Sequence, residues 1–345
     1  MTTPVLGPTP EPDLPTEAQV PVGDSGTPGL ASGVEREFTV KARTQKELVA
    51  RRFVRHRGAM TAFVVLVFVT LLAFTSIGFG PFPGWWDQDY RATGVIENGG
   101  RMTLDVVPWL DGDGLAWGAH PFGQDNVGRD YFALTMRGTQ RSLTIAFIVG
   151  LVSTLIGVAI GAAAGYFKGT ADTVLMRITD VVISVPILLL AAVIGTATGD
   201  LGATALAVFL GAVVWVSMAR LIRGEFLSLR EKEFVEAARA MGASSPRIIV
   251  RHIVPNTIGT IIVNATLTIS AAILLETSLS YLGFGVRPPD TSLGLLVSTY
   301  QSAFATRPWL FWWPGLFIIL IALTVNFIGD GLRDAFDPKQ NRVRA

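Results

Sequence analysis

Few residues in this 345-residue chain have the type and spacing needed for bond-making chemistry. There is no Cys, which excludes thiolate nucleophiles, thiolate metal sites and disulfides. The three histidines, His56, His120 and His252, stand far apart and form no ligand-spaced pair. No Gly-x-Ser-x-Gly elbow, His-Glu-x-x-His pair or Walker A phosphate loop occurs. An intramembrane hydrolase and a self-powered ATPase both lack their groups. Asp111–Gly114 sets two carboxylates among glycines, but outside EF-hand spacing, and reads as a turn.

What remains is the chemistry of contact. Phe234, Ala237, Ala238 and Met241 fall at i, i+3, i+4 and i+7, predicting one face of a short helix. Glu233, Glu236 and Arg239 rim that face. A lone amphipathic loop helix ordinarily lies on a membrane surface. This face is narrow and alanine-rich, so a partner's groove can close onto its backbone, which suits docking into protein. Gly242 follows at the place where a helix C-terminus adopts a left-handed conformation. Ser245 can cap a second helix with Pro246 in its first position, and Pro255 is expected to end it.

These residues sit between long apolar segments. Half of the chain is hydrophobic, only 16% is charged, and the mean hydropathy is +0.47. Soluble domains carry about 25% charge. A disordered chain, a coiled coil and a basic nucleic-acid-binding domain are excluded. Uncharged runs cover 58–86, 142–167, 181–199, 201–219, 253–275 and 308–329. Each meets the roughly 18 residues of a bilayer-spanning helix. Six transmembrane helices in an all-α polytopic membrane protein are predicted, the third and fourth joined as a tight hairpin through Thr198–Gly202. With the N-terminus inside, 21 of the 28 Lys and Arg residues fall on the cytoplasmic side. That bias places both termini in the cytoplasm. Arg51, Arg52, Arg55 and Arg57 anchor the first span, and Asp172, Arg177 and Asp180 read as interfacial anchors of the third.

The expected organisation is a disordered cytoplasmic tail over 1–45, rich in Pro, Gly, Ser and Thr. An N-terminal anchor with the first span covers 46–80, and an acidic extracytoplasmic loop covers 81–138. A transmembrane core spans 139–330, with a cytoplasmic loop at 223–257, and a cytoplasmic tail fills 331–345. Ser153, Gly157, Gly161 and Gly165 put a small residue at every fourth position of the second span. Close packing of a helix within the chain is expected there, with a subunit interface as the alternative. Ionisable groups are nearly absent inside the spans. Glu276 is expected to cap or hydrogen-bond near the outer end of the fifth span, or else to line a polar pathway. Asn264 is expected to hydrogen-bond between helices. Both are candidates for a substrate path.

The run EAARAMGASSPRIIVRHIVPN (residues 236–256) resembles the EAA loop of the permease subunits of bacterial ABC importers. The match lies at Glu236, Ala237, Ala238, Gly242, Val254 and Pro255, with His252 where the general pattern has Ile. HPFGQDNVGRDYFALTMRGTQRSL (120–143), LLETSLSYLGFGVRPPDTSLG (274–294) and NFIGDGLRDAFDPK (326–339) are similar to segments of dipeptide and oligopeptide permeases. The first span with its preceding FVRHRGA is similar to the C-type subunit of that group. The resemblance covers residues 50–340, and only the tail, longer than is usual in that group, lies outside it.

This resemblance implies a type I ABC importer permease fold and a translocation subunit that is not itself an enzyme. It implies a homologous B-type permease subunit, two ABC ATPase subunits (or one fused ATPase), an extracytoplasmic substrate-binding protein and membrane lipid as partners, and no nucleic acid. ATP and Mg would be used by the ATPase subunits, with no cofactor on this chain. The coupling residues would be Glu233, Phe234, Glu236, Ala237, Ala238, Arg239, Met241 and Gly242. The acidic outer loop and Arg287–Leu293 would meet the binding protein. The compartment implied is a bacterial inner membrane and the cargo a peptide, with nickel chelates or glutathione as alternatives in the group. The rivals are a secondary transporter, which needs inverted repeats and buried ionisable groups, and a membrane scaffold, which leaves the long loop unexplained.

Overall fold

A computed structural model describes residues 45–104, 118–198 and 201–336. Helix α1 (Gln45–Arg55) leads into α2 (Arg57–Ser76). At the break the His56 ring accepts the Ala59 N–H at 3.0 Å, capping α2. A two-residue hairpin, β1 (Gly78–Phe79) with β2 (Phe82–Pro83), follows with Gly78 opposite Pro83. The long α3 (Tyr131–Phe167) has 37 residues and is capped by Asp130, which accepts the Ala133 N–H at 2.8 Å. At 1.5 Å per residue it extends about 55 Å, well beyond a hydrocarbon core of about 30 Å.

The next two helix pairs are sharply bent. Helix α4 (Gly169–Ser184) meets α5 (Ile187–Thr198) at an 84° bend, and α6 (Ala203–Val214) meets α7 (Val216–Leu229) at 43°. Pro186 stands at the first break, where its missing N–H and ring interrupt the helix ladder. Helix α8 (Glu233–Ala240) and α9 (Ser245–Ile248) form the loop, and α10 (Val254–Tyr281) the next span. Beyond it lie α11 (Leu293–Tyr300) and α12 (Trp309–Phe336). Four continuous helices are long and apolar enough to cross a membrane: α2, α3, the joined α9–α10 and α12. The two bent pairs bring the number to six if each is one span.

Helix α3 is the central post. Its small-residue stripe lies along α7: a Cβ added to Gly157 would stand 2.6 Å from the Met218 Cβ, and one on Gly161 2.4 Å from the Ala219 carbonyl. A Cβ on Gly165 would stand 2.6 Å from the Phe226 Cβ. The stripe therefore serves packing within the chain, and the two helices run parallel with their backbones close together. On the other flank Ser270 of α10 donates to the Ala322 carbonyl of α12 at 3.1 Å.

Several expected boundaries move. Helix α3 begins at Tyr131, so residues 131–138 belong to the helix and not to the outer loop. Arg137 and Arg141 are accommodated because both reach Asp290, at 3.2 and 2.5 Å. Residues 169–180, between the second and third apolar runs, are helical as part of α4. Its acids are paired rather than lying free at an interface: Arg223 grips Asp172 through two hydrogen bonds of 2.5 and 2.7 Å, and Arg220 meets Asp180 at 2.7 Å. Helix α12 runs to Phe336, six residues into the expected tail. The tail at 1–44, Asp111–Gly114 and residues 337–345 lie outside the described residues.

Candidate functional site

The loop helix α8 is two-faced, but not along the line its sequence predicts. Val235 and Ala238 are buried, packed into a cluster with Tyr166, Ile222, Phe226 and Ile253 from three neighbouring segments. Ala238 thus turns inward, away from Phe234, Ala237 and Met241. Those three stay exposed, Phe234 at 40% and Met241 at 80%. They stand at i, i+3 and i+7, which gives a single outward apolar stripe. Glu233, Glu236 and Arg239 are exposed beside it and make no ion pair among the described residues. The periodicity found one face; only packing says that the Val235 side is the glued one.

Gly242 has φ +80°, the left-handed region. Its N–H bonds the Arg239 carbonyl at 2.9 Å, and the Ala243 N–H bonds the Ala238 carbonyl at 3.0 Å. This reciprocal pair is the Schellman ending of a helix. The next helix starts one residue earlier than expected: Ser244, not Ser245, is the cap residue, and Pro246 lies in the first turn. Pro255 does not end this helix. The backbone widens into one π-helical stretch, Ile249–Ile253, and runs on into α10. A wider turn removes the clash between the proline ring and the preceding carbonyl and does not require its missing N–H. The second loop helix and the span are therefore one rod from Ser245 to Tyr281.

The strand of chain entering α8 is also tied down. Arg230 donates to the Tyr166 carbonyl and lies 5.9 Å from that ring. Lys168 meets Glu231 at 2.6 Å, and this hydrogen bond holds the Glu231 carboxyl below its ordinary pKa. Movement of α8 must therefore carry the ends of α3, α7 and α10 with it.

At the opposite end the chain is cross-braced around buried acids. Glu276 is wholly buried and accepts hydrogen bonds from Ser142 at 2.9 Å and Ser280 at 2.7 Å. In this chain it is an internal hydrogen-bonding group. Asn264 donates to the Thr260 carbonyl of its own helix at 3.0 Å, so its recorded bond is intrahelical rather than between helices. Asp125 accepts from Arg129 at 2.6 Å and from the Tyr300 hydroxyl at 2.8 Å. Burial chiefly, helped by Asp125, pushes the Tyr300 phenol well above its ordinary pKa. Burial opposes the Arg129 charge, but Asp125 and Tyr300 outweigh it. Asp130 joins the Trp86 ring N–H and His120, both at 2.9 Å. Asp125 and Asp130, expected in the outer loop, are thus buried internal braces. The pairings Asp125–Tyr300 and Asp290–Arg141 carry no local signal, because the partners lie more than a hundred residues apart in sequence.

Comparison with known proteins agrees with this architecture. Residues 157–342 match the model of the binding-protein-dependent transport system inner membrane component family. The chain belongs to this family. Residues 44–94 match the N-terminal TM domain of oligopeptide transport permease C. The oligopeptide transport system permease protein OppC of Mycobacterium tuberculosis is 37% identical over 302 residues, 87% of this chain and 97% of that one. OppC of Haemophilus influenzae is 34% identical over 303 residues, 88% and 91% of the two chains. OppC of Bacillus subtilis is 34% identical over 288 residues, 84% and 88%. Among solved structures, the inward-facing MetNI methionine ABC transporter aligns with 59% of this chain and 96% of that one, at 20% identity and a TM-score of 0.49.

Family membership makes the chain a permease subunit of an ABC importer, with the type I importer permease fold, in the inner membrane as a multi-pass protein. The family is one of transport permeases, not of catalytic enzymes.

Proposed function

We propose that this chain forms half of the translocation pathway of an ATP-driven peptide importer and receives its drive through α8. The observation that carries this reading is the two-faced loop helix. Its inner face is fixed to three spans by Val235 and Ala238, and its outer stripe, Phe234, Ala237 and Met241, is exposed and rimmed by charge. Such a helix can sit in a groove on an ATPase subunit and transmit its displacement. The Schellman turn at Gly242 and the rod Ser245–Tyr281 form the lever that carries displacement into the span. ATP-driven closure of the ATPase pair then switches the spans between inward-facing and outward-facing packings as rigid bodies.

The end bearing α8 is the cytoplasmic one in this reading, and both termini are cytoplasmic, as the Lys and Arg bias supports. The second half of the pathway comes from a homologous permease subunit. Two ATPase subunits, or one fused, use ATP and Mg, and a substrate-binding protein delivers cargo to the opposite end. Peptide cargo is supported by the naming of the relatives as oligopeptide permeases.

The test is uptake into liposomes carrying the assembled complex. Peptide uptake should require the substrate-binding protein and ATP on the α8 side. Uptake that proceeds without any ATPase subunit, driven by an ion gradient, would refute the proposal.

A further inference from the structure

A cleft of about 330 Å³ opens at the end of the molecule away from α8. It lies between the loop at Tyr90 and Arg91, Arg129 just before α3, and the segment from Pro288 through α11. Arg91, Pro288, Pro289 and Thr299 are exposed, so its mouth opens on the surface and not into the helix bundle. Asp290 and Tyr300 are also part of its lining.

The charges around this cleft are unevenly spent. Asp125 is engaged by Arg129 and Tyr300, and Asp290 by both Arg137 and Arg141. Asp89 accepts the backbone N–H of Arg91 at 3.0 Å, folding back on its own loop, and Asp87 does not line the cleft. Among the described residues, Asp89, Asp125 and Asp290 therefore already have donors. Among the described residues the guanidinium of Arg91 has no carboxylate within ion-pair reach, only the ring of Tyr90 at 5.1 Å. Arg129 commits Nε and one terminal nitrogen, while Nη1 has no acceptor among the described residues. The unspent capacity of the cleft is cationic, planar and rich in N–H donors, which matches a carboxylate. Partial enclosure strengthens such a pair relative to an open surface.

We infer that this cleft is a docking socket for a carboxylate, an Asp or Glu side chain of the substrate-binding protein, received by Arg91 and Arg129 when that protein seats on this end. The inference rests on the function proposed above, which turns this end outward. The family's dependence on a binding protein supplies the partner. The surface mouth favours a side chain from a docked protein over a cargo passing between helices. Unspent guanidinium groups at a rim would also steer the encounter, so the association should be salt-sensitive.

The experiment measures the Kd of the purified substrate-binding protein for the assembled importer in nanodiscs. Arg91→Ala should raise Kd about fivefold and Arg91→Glu about tenfold or more, while Arg91→Lys should stay within about threefold. Added salt should weaken the unsubstituted complex and narrow its difference from R91A. Kd and salt dependence unchanged in both R91A and R91E, in complexes of normal assembly, would overturn the inference alone. An unsubstituted complex that fails to bind the binding protein would overturn it together with the proposed function. A second arm compares uptake of a peptide with its amidated form. If R91E slows only the free acid and leaves Kd unchanged, the cleft reads cargo and the inference falls.

Discussion

Ser142 of α3 donates a 2.9 Å hydrogen bond to the buried carboxylate of Glu276 on α10. The same Ser142 oxygen accepts the Leu293 N–H at 3.2 Å, and Ser280, also bonded to Glu276, lies 3.2 Å from the Ser292 hydroxyl. One acidic side chain thus joins two spans and the start of α11. Close approach supports the joint: a Cβ on Gly138 would stand 3.1 Å from the Leu293 nitrogen, and one on Gly294 2.6 Å from the Thr277 Cα. A polar network of this kind specifies one packing because any slip strands its donors.

Glu276→Ala should destabilise the complex by about 1–3 kcal/mol, since it removes the acceptor for two buried hydroxyls. Glu276→Gln keeps one acceptor oxygen and should cost less. Thermal unfolding of the solubilised complex reads both, beside peptide uptake. If Glu276→Gln abolishes uptake with an unchanged Tm, Glu276 acts in the pathway and not as a brace.

Gly242→Val should uncouple transport. Nothing lies within 4 Å of an added Cβ there, so crowding is not the issue. The backbone at φ +80° is the obstacle, and forcing a β-branched residue into the left-handed region costs about 1–3 kcal/mol. The chain can relieve that strain by rotating α8 against the rod that begins at Ser245. Stimulation of ATPase activity by loaded binding protein, together with uptake, is the measurement. Wild-type values for both would sink the idea.

Glu236→Lys should weaken attachment of the ATPase subunits. Glu236 is exposed beside the apolar stripe and carries no ion pair among the described residues, so its reversal should leave the fold of the loop intact. Phe234→Ala should act in the same direction by removing apolar area from the stripe. Co-purification of tagged permease with its ATPase subunits tests both, and normal recovery would count against α8 as the contact.

Gly161→Ala should lower Tm, because its new methyl would lie 2.4 Å from the Ala219 carbonyl and 2.9 Å from the Ile222 Cβ. Overpacking of this kind costs about 1–3 kcal/mol. Gly224→Ala is the control: nothing stands within 4 Å of its added Cβ, and alanine favours the helix. Equal Tm values for the two variants would show that α3 and α7 are not held at the distance described.

Properties that depend on near neighbours are legible in the chain alone. Apolar runs of span length, the small-residue stripe on α3, the loop helix and the left-handed Gly242 are all set by local periodicity and backbone sterics. The loop and three further motifs were also sufficient to recognise the family. Properties that depend on distant groups meeting emerge only from the packed fold. Ala238 turns inward because Tyr166, Ile222 and Phe226 wait on that side. Asp172 and Asp180 are ion-pair partners because the bend after α4 and the return of α7 bring Arg223 and Arg220 beside them. The polarity of Glu276 was visible in the chain, but its role was not, since Ser142 lies 134 residues away. Pro255 reads locally as a stop, yet the π turn preserves the helix through it. Hydropathy and φ preferences act over a few residues, whereas desolvated pairs are chosen by whichever partner the packed helices bring within hydrogen-bond reach.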